Sequence, residues 1–79
     1  PRVLTAAAAD PVGGERKLTV TTKAVASVDV YLDGRPVATA ATADGRTDIT
    51  IPAGTSGSIL RVEGYDTSSR PIATRQLAL

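Results

Sequence analysis

The chain has 79 residues, a formal charge of +1, no Cys, no His, and two Tyr as its only aromatics. That is one small domain with a thin core of Val, Ile, Leu and Ala, for which support from a neighbouring domain or partner chain is expected. Without Cys there is neither a disulfide staple nor a thiol nucleophile, and without His there is no Ser-His-Asp triad and no imidazole metal ligand. Charges of both signs are interspersed, so no basic stripe addresses nucleic acid or a membrane surface. No apolar run approaches the roughly 20 residues that span a bilayer.

Arg2 to Ala9 reads as a first strand, with Val3, Thr5 and Ala7 on one face and Leu4 and Ala6 on the other. The Ala6–Ala9 run has helix propensity, but it is too short to hold a helix before Asp10-Pro11. Pro11 to Gly14 is a loop. Arg16 to Ala24 is a second strand, with Leu18, Val20 and Thr22 inward and Thr19, Thr21 and Lys23 outward. Val25-Ala26 links it to the stretch around which the chain is organised.

That stretch, Ser27 to Ala40, reads as a β-hairpin. Val28, Val30 and Leu32 alternate with Asp29 and Tyr31 in the period of a half-buried strand. Asp33-Gly34 is a turn that needs positive φ, which Gly supplies at little cost. Pro36 has no N–H to donate, so the returning strand belongs at an edge or begins in the loop. The Ala- and Thr-rich segment Ala38 to Ala43 reads either as a flat edge strand or as a loose connection.

Asp44-Gly45 marks the next turn, and Thr47, Ile49 and Ile51 form the inward face of a strand that Pro52 ends. After the Ala53–Gly57 loop, Ser58 to Asp66 is a strand with Leu60, Val62 and Gly64 inward. Ile59, Arg61, Glu63 and Tyr65 take its outward face. Thr67 to Ser69 is a turn, and Pro71 to Leu79 is the last strand. Ile72 and Leu77 there have opposite parity, which a bulge near Thr74-Arg75 would reconcile. Seven short strands with regular turn signals and no helix predict an all-β antiparallel sandwich or a small barrel, spanning residues 1–79 as one domain. Its core is Leu18, Val20, Val28, Val30, Leu32, Ile49, Ile51, Leu60 and Val62.

Two segments carry a resemblance. Val28 to Thr39 (Val-Asp-Val-Tyr-Leu-Asp-Gly-Arg-Pro-Val-Ala-Thr) is similar to the strand–turn–strand of bacterial immunoglobulin-like domains, fibronectin-like variants included. Gly57 to Asp66 resembles their penultimate strand, with its Gly-containing loop, alternating apolar residues and closing Asp. With the Lys17–Thr22 strand, the resemblance covers most of residues 16–79, and residues 1–15 match as a generic first strand. The Cys pair and core Trp of antibody domains are absent. The resemblance implies an immunoglobulin-like sandwich in a secreted, cell-surface or periplasmic protein, serving as a spacer, adhesin stalk or accessory module. A chain that starts at Pro1 without Met or a signal-peptide h-region is then expected to be a fragment, a processed form or an excised domain, with any targeting signal outside it.

For chemistry the residues offer little. The five Ser sit in turns or strand ends with no activating base, and Asp29 and Glu63 lie on an open strand face without a cleft. Asp33, Asp44 and Asp66 sit at turns, where Asp bonds its own backbone; no Asp-x-Asp-x-Asp run suggests calcium. Gly13-Gly14 lacks the Lys-Ser/Thr ending and the helix of a phosphate loop. No catalytic residue, metal or cofactor is expected. A self-associating or adhesive subunit and a carbohydrate-binding module stand as alternatives to the spacer. The expected partners are neighbouring domains or a protein chain, a second copy included. In immunoglobulin-like sandwiches the third, sixth and seventh strands share a sheet. Alternation then gathers Asp29, Tyr31, Arg61, Glu63, Tyr65 and, from the last strand, Arg75 on one outer face as a candidate partner surface.

Overall fold

The computed structural model describes all residues 1–79 as seven strands without a helix. The strands are β1 (Val3–Ala8), β2 (Arg16–Lys23), β3 (Ser27–Leu32), β4 (Arg35–Ala41), β5 (Gly45–Ile51), β6 (Ile59–Tyr65) and β7 (Pro71–Ala78). They form two antiparallel sheets, in the orders β1-β2-β5 and β4-β3-β6-β7, packed as an immunoglobulin-like β-sandwich. The Ala-rich segment after Val37 is therefore a strand as far as Ala41, and it lies at a sheet edge, where Pro36 costs no ladder bond to a further strand.

Alternation builds the core. Each inward residue of β2, β3 and β6 faces the other sheet: Leu18, Val20, Val28, Val30, Leu60 and Val62 are fully buried, and Leu32, Ile49 and Ile51 nearly so. All nine predicted core residues are in the cluster. Burying such side chains stabilises by about 1.5–3 kcal/mol each, the main term available to a domain without a disulfide. Leu4 of β1 and Val25 of the β2–β3 link join them. Val25 is drawn in because Gly64 opposite it has no side chain: a Cβ on Gly64 would lie 3.1 Å from Val25 Cγ1 and 3.4 Å from Leu4 Cδ2.

The β3–β4 connection is a two-residue hairpin turn with positive φ at both Asp33 (49°) and Gly34 (81°). That is the primed turn whose twist matches the flanking strands. Two bulges adjust the four-stranded sheet. The β3–β4 ladder skips Val37 between Pro36 and Ala38. The β6–β7 ladder skips Ile72 between Pro71 and Ala73. The second bulge reconciles Ile72 with Leu77, but it sits two residues before the predicted Thr74-Arg75. Placed there, the extra residue lets Ile72, Ala73 and Leu77 all pack against the core.

Because every neighbouring pair is antiparallel, the turns divide between two poles. One pole carries the start of β1, the β2–β3 link, the β4–β5 turn and the β6–β7 turn. The other carries the β1–β2 loop, the β3–β4 turn, the β5–β6 loop and the end of β7. The domain measures 35 × 22 × 18 Å.

Candidate partner-binding face

The outer face of the four-stranded sheet is where the chemistry-bearing side chains meet. Register sets Asp29 opposite Glu63, Tyr31 opposite Arg61 and Ser27 opposite Tyr65 across β3 and β6. Asp29, Tyr31, Arg61, Glu63 and Tyr65 are all half-buried and alternate with fully inward neighbours, so these five share one face. The sixth candidate does not join them. Arg75 is the partner of inward Val62, and Thr74 and Gln76 take the outward positions beside Glu63 and Arg61. Arg75 lies two residues before inward Leu77 and shares its parity.

Two carboxylates directly opposite each other repel. The face answers with one cation and one hydroxyl. Arg61 forms the chain's one ion pair, Nη1 to Glu63 Oε2, and its guanidinium also stacks 4.3 Å from the Tyr31 ring centroid. Stacking on an aromatic face while bonding a carboxylate is what a planar guanidinium does well. Asp29 receives no cation: its Oδ1 accepts from the Thr39 hydroxyl at 2.9 Å, on the β4 side. Tyr65 closes the group. Its hydroxyl is pushed up to about 12, first by loss of water around it, then by the nearby Tyr31 hydroxyl and the Asp29 and Glu63 carboxylates. It is therefore a neutral phenol at any physiological pH.

A shallow groove of about 330 Å³ runs between β3 and β4, lined by Asp29, Tyr31, Pro36, Val37, Ala38 and Thr39. Pro36 is opposite Tyr31 and Thr39 opposite Asp29. These β4 residues were not legible as site residues, because the Val37 bulge decides which of them face outward. Their one sequence signal is membership of the Asp33-Gly34 hairpin, which guarantees that β4 lies beside β3.

The turn aspartates divide. Asp66 bonds its own turn as expected, its Oδ1 accepting from Ser68 N at 2.8 Å and Arg70 N at 3.0 Å. Asp33 and Asp44 instead reach other loops. Asp44 Oδ1 accepts from Ala24 N at 3.0 Å. Asp33 Oδ1 accepts from Ile59 N at 2.9 Å and Ser58 N at 3.1 Å. Those two backbone donors, Ile59 first and Ser58 next, hold the Asp33 carboxyl below its ordinary value of 3.8. Arg35 Nη2 donates to Ser56 O at 3.1 Å, so the hairpin tip pins the β5–β6 loop from both sides. No group of three or more His, Cys, Asp or Glu stands close enough to hold a metal ion.

Comparison with known proteins returned no match to a family model, to a curated protein or to a solved structure.

Proposed function

We propose that the chain is a non-catalytic accessory, spacer or interaction module of a larger secreted or surface bacterial protein. The observation that supports this most is the path of the backbone. β1 begins at one pole and β7 ends at the other, so the chain is threaded along the 35 Å axis of the domain. A module threaded in this way adds its long dimension to whatever continues from its ends. The immunoglobulin-like sandwich is compatible with this role but does not by itself argue for it, since one fold hosts many functions.

The outer face favours a protein contact over sugar binding. Carbohydrate modules present open aromatic platforms, and here the Tyr31 ring already carries Arg61. Half-buried Tyr and Arg side chains on one face are the types in which binding energy concentrates. Light scattering behind size-exclusion chromatography tests the reading against a self-associating subunit. A spacer gives the mass of one 8.1 kDa chain across the micromolar range. A stable dimer or larger assembly of the isolated chain would replace the spacer with the adhesive, self-associating reading.

A further inference from the structure

The groove beside Asp29 has an imbalance that the rest of the face lacks. The outer face holds two carboxylates and one cation, and the cation is committed: Arg61 is paired with Glu63 and stacked on Tyr31 from the β6 side. On the β4 side Asp29 has a hydroxyl partner only, the Thr39 Oγ1 donating to Oδ1 at 2.9 Å, and no cation of the chain pairs with it. Around that carboxylate the groove walls are the Tyr31 ring, Pro36 and Val37, which offer apolar and aromatic surface. An acid with an apolar approach suits a long side chain that lays an aliphatic stem along carbon and sets a charged head on oxygen. Lysine and arginine are the side chains built that way. The volume of about 330 Å³ accommodates one such side chain.

We infer that the β3–β4 groove receives a lysine or arginine side chain from a basic segment of a partner protein, with Asp29 as its counter-charge and Tyr31, Pro36 and Val37 as its walls. The inference rests on the reading of this chain as an interaction module.

The test is a titration of the ¹⁵N-labelled chain, followed by amide chemical shifts, with a blocked Gly-Arg-Gly-Arg-Gly peptide, its lysine analogue and its glutamate analogue. The basic peptides are expected to move the amides of Asp29, Tyr31, Val37 and Thr39 saturably, and less so as salt is added. Asp29→Asn is expected to weaken binding about tenfold, the effect of losing one charge-assisted contact. Thr39→Arg, which sets a cation of the chain's own opposite Asp29, is expected to abolish binding while the spectrum stays that of the folded domain. Shifts that cluster elsewhere, equal binding of the glutamate peptide, or unchanged affinity in Asp29→Asn would overturn the inference. Concentration-dependent shifts at these amides without peptide would mean that a second copy fills the groove, and would overturn it too. The mass of the isolated chain and the length of a tandem array test the spacer reading separately, so either idea can fail alone.

Discussion

Gly57→Ala isolates one close approach on which the β3–β4 tip depends. No positive φ is involved at Gly57, so an alanine can adopt its backbone without strain. The obstacle is space. A Cβ there would lie 2.6 Å from Leu32 Cγ and 2.8 Å from Asp33 Oδ2. Leu32 is 2% exposed and cannot swing out of the core. The loop cannot withdraw freely either, because Ser58 N and Ile59 N are bound to the Asp33 carboxylate and Leu79 N donates to Ser58 O at 2.9 Å. Overpacking of this kind costs about 2 kcal/mol. A domain of this size has roughly 4–12 kcal/mol in total at about 0.05–0.15 kcal/mol per residue. Each kcal/mol is worth about 4–8 °C, so the melting midpoint falls by about 8–16 °C. Thermal unfolding followed by circular dichroism measures this. Ser56→Ala, on the same exposed loop, is the control and stays within about 0.5 kcal/mol. Hydrogen exchange adds the local readout: the Ser58 and Ile59 amides lose protection in Gly57→Ala. An unchanged midpoint, or a fall without loss at those two amides, would mean that the close approach of Gly57 to Leu32 and Asp33 does not hold the tip.

Three further outcomes follow from the same geometry. Val30→Ala removes two methyl groups from a fully buried position and costs about 2–3 kcal/mol, read as a lower urea midpoint with unchanged slope; an unaltered midpoint would mean that the inward face of β3 is misassigned. Gly34→Ala is the converse of Gly57→Ala, since nothing lies within 4 Å but φ is +81°; αL strain of about 1–2 kcal/mol outweighs the entropic gain from losing Gly, and a neutral or stabilising result would require another turn type. Asp33 sets a pH dependence. Its carboxyl is held below 3.8 in the folded state, so its contribution is present above that pH and is lost as acid protonates it. Asp33→Asn keeps a residue that tolerates positive φ, and should flatten the fall in stability below about pH 4; an identical acid profile in wild type and variant would show that the Ser58 and Ile59 bonds do not depend on the charge.

Alternation made most of this molecule legible. Period-2 patterning in β2, β3, β5 and β6 places nine core residues correctly, and the same parity puts Asp29, Tyr31, Arg61, Glu63 and Tyr65 outward. Features that depend on what lies across the sandwich were not legible. Val25, in a two-residue link, has no period of its own and is buried only because Gly64 leaves room above it. Either bulge position in β7 restores the parity of Ile72 and Leu77, and which one forms depends on the packing across the sandwich; Arg75, two residues before inward Leu77, shares its parity and turns away from the outer face. Asp at a turn signals local capping, as at Asp66. That Asp33 and Asp44 cap a different loop depends on which turns share a pole. The groove at Asp29 depends on a bulge in β4 that an Ala- and Thr-rich sequence does not mark.

In the proposed spacer role, this domain extends a larger chain along its own axis. Small-angle X-ray scattering on one, two and three directly concatenated copies tests it. The maximum dimension is expected to grow by about one domain length, 35 Å, with each copy, at a cross-section that stays that of a single domain. Copies that fold back side by side, widening the cross-section while the length stays near 35 Å, would contradict it.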